Sequence, residues 1–141
     1  MNVNQKVYFK TFGKKRSLVG TEIFRIVPGG WIQGGDLVDN CGEHNAIQND
    51  STSADFYSSD ENFNISHNQR GLLSTVNDGK NRNGSQFMIT LKSNKWLDNR
   101  YVCFGRIIKG FEVLEKIENV PTNTFQRAKK KIVLSQINGI T

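Results

Sequence analysis

Apolar and polar positions alternate along this chain in short blocks, not in long stripes. Phe24 to Val27 and Trp31 to Gln33 are brief apolar runs, each carrying one polar residue, and Pro28-Gly29-Gly30 separates them. Pro28 fixes its own φ and the glycines tolerate conformations that other residues resist, so the stretch reads as strand, turn, strand. Gln86 to Thr90, Tyr101 to Ile108 and Lys131 to Ile137 read as further strands, with Leu72, Leu73 and Val76 as inward-facing candidates ahead of them. Asn77-Asp78-Gly79 and Asn83-Gly84 carry turn chemistry. Helical spacing shows at Val113, Leu114, Ile117 and Val120, and Pro121 ends it. Many short strands with at most two helices predict a mainly β barrel or sandwich.

Between these blocks, residues 37–60 are rich in Asn, Asp and Ser and nearly devoid of apolar periodicity, which predicts a long surface loop. His44 falls inside it and reads as a loop histidine without a partner. His67 precedes the next strand and reads as structural.

The chain has 141 residues, enough for one domain with its own core. No apolar run is long enough to span a bilayer and none follows Met1 as a secretory signal would, so the expectation is a cytoplasmic or nuclear protein without a membrane partner. Cys41 and Cys103 fit a reducing compartment, and no zinc pairing with histidine is read from them, so no metal and no cofactor is expected. The net charge of +6 is concentrated at Lys14 to Arg16 and at Arg127 with Lys129 to Lys131. Without interleaved aromatics these clusters read as solvated faces, and a nucleic-acid partner is the weakest of the functional readings. There is no Gly-x-Ser-x-Gly, no His-Glu-x-x-His and no phosphate-binding glycine loop, which sets aside the common nucleophilic and metallohydrolase chemistries. Arg25 and Gln33 stand out instead. Polar groups inside apolar runs must be hydrogen-bonded or face a cleft, and both a paired structural arginine and a functional one satisfy that demand.

The ordered words R-I-V-P-G, I-Q-G-G-D, D-E-N-F, N-G-S-Q-F, W-L-D and V-x-F-G, spread over residues 24–105, resemble the cyclophilin family of peptidyl-prolyl cis-trans isomerases. The resemblance covers residues 20–140 and lies toward a divergent isomerase-like branch. It implies a single domain over 1–141, a cyclophilin-like antiparallel β-barrel with one or two short helices. Residues 1–19 would be an N-terminal remnant, the first two strands and first helix of the family being absent. It implies isomerisation of Xaa-Pro bonds in proline-containing segments of client proteins, assisting their folding, and a cyclosporin-type ligand as a further partner. The reaction rotates one amide bond against a barrier of roughly 18–20 kcal/mol. A guanidinium aimed at the proline nitrogen favours the twisted state over either planar one. A gain of about 10⁵ in rate asks for roughly 7 kcal/mol.

Position by position, the resemblance makes Arg25 the catalytic arginine and Gln33 the glutamine that orients it. Asn77 and Gln86 border the bound peptide, and Trp96 and Leu97 form the rim and wall of the proline pocket. Trp31, Val76, Met88 and Tyr101 occupy pocket positions where the family has other residues, and Gly30 replaces an aromatic ring. Two readings stay open: an isomerase of reduced activity, or a catalytically inactive proline-peptide-binding or scaffold module.

Overall fold

The computed structural model describes residues 18–45, 47–48 and 55–135. The chain order is β1 (Ile23–Val27), β2 (Trp31–Gly34), β3 (Ile47–Gln48), β4 (Asp55–Phe56), β5 (Leu72–Asn77), β6 (Asn83–Thr90), β7 (Cys103–Arg106) and α1 (Phe111–Glu118), with a single 3-10 turn at Lys95–Leu97. β1, β2, β6, β5 and β7 lie side by side in that order as one antiparallel sheet, and β3 pairs with β4 in a second, two-stranded sheet. The remnant expected over 1–19 falls almost wholly outside the described residues.

The central hairpin forms as the punctuation predicts. Gly30 donates its amide to the Val27 carbonyl at 2.8 Å, closing the turn, and Gly29 sits at φ +64, a conformation that a Cβ would strain. Val27 then faces Trp31, Ile26 faces Ile32 and Arg25 faces Gln33. Strand periodicity puts alternate residues on opposite faces. Ile26 and Ile32 are 0% and 1% exposed on the core side, whereas Arg25, Trp31 and Gln33 share the other side.

The core collects Ile23, Ile26, Ile32, Leu73, Phe87 and Ile89 from the sheet, Leu114 and Ile117 from α1, and Leu18 and Ile132 from the flanking segments. Each such side chain contributes roughly 1.5–3 kcal/mol through burial. α1 spans the stretch with helical spacing and presents Leu114 and Ile117 to the sheet while Phe111, Glu112, Glu115 and Lys116 stay exposed.

Four expectations are revised. Asn83-Gly84 is not a turn but the start of β6; the reversal is made over residues 78–82, where Gly79 (φ +122) and Asn81 (φ +59) take the positive angles. Gly84 is instead a contact glycine, since a Cβ there would run into the Asn45 backbone. Of the final strand expected over 131–137, residues 131–135 pair irregularly with β1 and the residues before it, and 136–137 lie outside the described residues. Ile23 donates to Ile132, Leu134 to Thr21 and Ile26 to Gln126, at 2.8–2.9 Å where Gly20 also donates to Leu134, and β1 is bulged between Ile23 and Arg25. The strand expected over 101–108 is shortened to β7, and the long loop contains the small β3–β4 ladder.

Candidate functional site

The non-core face of the hairpin is where the polar residues of the apolar runs converge. Arg25 is half-buried and donates from Nε and Nη2 to Gln126 Oε1, at 3.0 and 2.8 Å. Its guanidinium carbon lies 5.4 Å from the centre of the Trp31 ring, within cation–π range. Trp31 in turn lies 5.8 Å from Trp96, ring to ring, at a tilt of 58°.

A file of amides runs across the sheet from this point. Trp31 Nε1 donates to Gln33 Oε1 at 3.2 Å, and Gln33 Nε2 donates to Gln86 Oε1 at 2.8 Å. Gln86 Nε2 then donates to the carbonyls of Gly42 and His44 at 3.1 and 2.8 Å. Asn45 closes the row: its Oδ1 accepts from the Gln86 amide at 2.9 Å and its Nδ2 donates to the Val76 carbonyl at 2.9 Å. Each side-chain amide carries one acceptor and one two-proton donor, so this run fixes which way every glutamine points.

The role expected for Gln33 therefore passes to another residue. Its two hydrogen bonds go to Trp31 and Gln86, while Arg25 is held by Gln126, a residue the sequence reading did not single out. Gln126 sits at φ +62, with its amide donating to Asn123 at 3.0 Å and its carbonyl accepting from Ile26 at 2.9 Å. Those backbone bonds deliver its side chain beside β1.

An open cavity of about 400 Å³ adjoins the guanidinium, lined by Phe24, Arg25, Gln33, Gly42, Phe125 and Arg127. Phe125 is 79% exposed at its mouth. Arg127 was expected on a solvated face with the lysines; it is instead half-buried, 5.4 Å over the Phe24 ring, and part of this lining. The lysines are exposed, Lys131 pairing with Glu22 at 2.7 Å.

Of the remaining expected pocket residues, Met88 is buried opposite Gln33 and Ser74 in the sheet register. Leu97 is 1% exposed and packs beneath the surface, whereas Trp96 is 56% exposed on the rim. Val76 and Tyr101 are half-buried. Asn77 Nδ2 donates to the Arg100 carbonyl at 2.7 Å, so its side chain braces the 97–101 turn.

His67 is structural, as expected. Its Nδ1 lies 2.8 Å from Asp98 Oδ1 and its Nε2 2.7 Å from Ser74 Oγ. Asp98 also accepts from the His67 amide and the Ser66 hydroxyl, and those bonds, the amide first, hold its carboxyl down to about 2. An ionised carboxylate only accepts, so Nδ1 carries the proton toward it. Ser74, His67 and Asp98 have the connectivity of a nucleophilic triad, yet Ser74 and His67 are both 0% exposed. No substrate reaches them.

His44 departs from expectation. Its Nδ1 lies 3.4 Å from Asp39 Oδ1 and 3.9 Å from Asp36 Oδ2, so the loop histidine has carboxylate neighbours. Hydrogen bonds from the Cys41 thiol and amide hold the Asp39 carboxyl down to about 2, and the same carboxylate raises the Cys41 thiol.

Two guanidiniums, Arg25 and Arg127, line an open cavity beside a row of oriented amides, an arrangement that offers hydrogen bonds and positive charge to a ligand. The chain belongs to the cyclophilin type peptidyl-prolyl cis-trans isomerase/CLD family, whose model matches residues 5–138. It is 43% identical over 117 residues to the cattle protein named "Probable inactive peptidyl-prolyl cis-trans isomerase-like 6", covering 83% of this chain and 36% of that one. It is 37% identical over 120 residues to peptidyl-prolyl cis-trans isomerase D of Saccharomyces cerevisiae, covering 85% of this chain and 51% of that protein. A crystal structure of a cyclophilin type peptidyl-prolyl cis-trans isomerase from Cryptosporidium parvum superposes with a TM-score of 0.73 at 31% identity, covering 84% of this chain and 72% of that one. The chain thus spans about a third of the isomerase-like 6 protein it matches.

Proposed function

We propose that this chain is a prolyl isomerase domain of reduced activity, acting on Xaa-Pro bonds in proline-containing segments of other proteins. The observation that carries the reading is the fixed guanidinium. Arg25 is held from one edge by Gln126, which leaves Nη1 and the second Nη2 proton to face a peptide in the cleft. As the Xaa-Pro bond twists, amide resonance is lost and the proline nitrogen gains a lone pair. A donor already aimed at that nitrogen stabilises the twisted state and neither planar one, which is the differential binding that catalysis requires. In this reading Gln33 and the main chain at Asn77 supply polar contacts for the flanking peptide, the buried Gln86 fixes Gln33 in place, and Trp31, Val76, Met88, Trp96, Leu97 and Tyr101 shape the apolar side. The test is exchange between cis and trans forms of a short Xaa-Pro peptide, measured with the full chain and with Arg25→Ala, circular dichroism confirming that both are folded. Loss of exchange only in the variant is expected; equal exchange in both would refute the assignment.

Trp31 favours a second reading. It covers one side of Arg25 and packs toward Trp96, so an indole already occupies one face of the guanidinium. A module that binds proline peptides, or a cyclosporin-type ligand, without turning them over would show saturable binding beside a null exchange assay. The isomerase-like 6 relatives from cattle and mouse carry the name probable inactive, which accords with that alternative.

A further inference from the structure

Asp36, Asp39, Cys41 and His44 each bring one ligand atom to within 4.8 Å of the others, and among the described residues no second group of three or more such donors meets. We propose that these four residues form a binding site for a zinc-class divalent cation, independent of the peptide chemistry, through the Cys41 thiolate, His44 Nδ1 and a carboxylate oxygen each from Asp36 and Asp39.

The distances are close to what a metal needs. Cys41 Sγ lies 3.9 Å from Asp36 Oδ2, and His44 Nδ1 lies 3.9 Å from Asp36 Oδ2 and 3.4 Å from Asp39 Oδ1. Bonds of about 2.0–2.3 Å in a tetrahedron place ligand atoms roughly 3.3–3.8 Å apart, so these three pairs are within tenths of an ångström of that spacing, and the other pairs, all within 4.8 Å, need to close by at most about 1.5 Å. The donor set selects the metal: thiolate with imidazole suits zinc or cobalt, whereas calcium and magnesium want oxygen alone.

The loop is already shaped for this. The Asp36 carboxylate is 0% exposed, with Oδ1 accepting from the Val38 and Asp39 amides and Oδ2 from those of Gly42 and His44. Those bonds fix the direction of the carboxylate and occupy its lone pairs, so a cation at Oδ2 takes the place of the Cys41 thiol proton at 3.9 Å and of the long His44 amide contact at 3.4 Å. The Glu43 amide donates to Cys41 Sγ at 3.4 Å and helps to orient the sulfur. His44 and Asp39, at 43% and 47% exposure, leave a way in from solvent. On binding, the Cys41 S–H gives its proton to water and the sulfur becomes the ligand, so uptake releases one proton.

The chain has two cysteines and two histidines in all. Cys103 is buried in β7 and His67 is bonded on both ring nitrogens, so any thiolate–metal signal has one expected source. The consequence would reach the cleft, because Gly42 and His44 of this loop supply the carbonyls that orient Gln86.

Titration of the full chain with Co²⁺ tests this. Expected are a thiolate-to-cobalt charge-transfer band in the near ultraviolet and strong visible bands of tetrahedral cobalt, both bleached by Zn²⁺. Cys41→Ser should abolish the charge-transfer band and Cys103→Ser should keep it, with circular dichroism showing both variants folded. His44→Gln should weaken affinity by more than the roughly tenfold that even outer-shell changes cost. No charge-transfer band, weak octahedral spectra only, or a band that survives Cys41→Ser would each overturn the proposal.

Discussion

Replacing Gln126 by Ala isolates the contact that holds the guanidinium. In the wild-type chain two charge-assisted N–H···O bonds, 3.0 and 2.8 Å long, share one acceptor. Bonds to a charged group contribute about 1.5–3 kcal/mol, and a half-exposed shared pair belongs near 2. The Trp31 face adds about 0.5–1 kcal/mol at such a site. Confining an arginine to one rotamer costs up to about 2 kcal/mol. The sum favours the held rotamer by about 0.75 kcal/mol, a population near four-fifths, and without Gln126 it disfavours it by about 1.25 kcal/mol, a population near one-tenth. Isomerisation should therefore fall about five- to tenfold in kcat/KM, with peptide affinity little changed because the rest of the cleft is untouched. Ala keeps both backbone bonds of residue 126 and has the same Cβ at φ +62, so melting temperature should move little. Gln126→Glu is the companion: it keeps the reach, pairs with Arg25 as a carboxylate, and lowers the rate by neutralising the field aimed at the proline nitrogen. Exchange NMR on a proline peptide reads the rate without a coupling protease. An unchanged rate in a folded Gln126→Ala chain would refute the idea that Gln126 positions Arg25.

Other expectations follow from the same geometry. Gly84→Ala forces a Cβ against the Asn45 backbone and should destabilise the fold by about 1–3 kcal/mol, read by denaturant melts; no loss would mean that the loop yields freely. Asp98, held down to about 2 in the folded chain against an ordinary 3.8, stabilises the fold above pH 4. That contribution, about 1–2 kcal/mol for a side chain one-quarter exposed, fades as pH falls from about 4 toward 2, so Asp98→Asn should flatten the acid limb of a stability–pH curve. Trp31 and Trp96 are the chain's two tryptophans and sit together, so proline-peptide binding should shift their fluorescence and Trp96→Phe should diminish the shift.

The hairpin and its two polar residues were legible because turn chemistry and period-two alternation are local signals, and Arg25 and Gln33 interrupt them. The helix at 111–118 was legible for the same reason. Asn83-Gly84 misled because an Asn-Gly pair announces a turn, while the space demanded by Asn45 is invisible in the local string. The last strand was overcalled because Ile132, Val133 and Leu134 have strand character, yet β1 is bulged where they meet it. Gln126 and Arg127 carried no signal at all: they look like the edge of a basic tail, and their roles exist only against β1. Cys41 and His44 looked unpartnered because the turn that gathers them around Asp36 is set by backbone amides.

The bond between Arg25 and Gln126 joins residues 101 positions apart. During synthesis, then, the arginine emerges from the ribosome long before the residue that aims it. A nascent chain could assemble β1, β2, β5 and β6 and still lack a directed guanidinium until the segment after α1 has docked. The guanidinium would be aimed only after that docking, and a protease that clipped the exposed turn at 123–125 would release it while leaving the sheet standing.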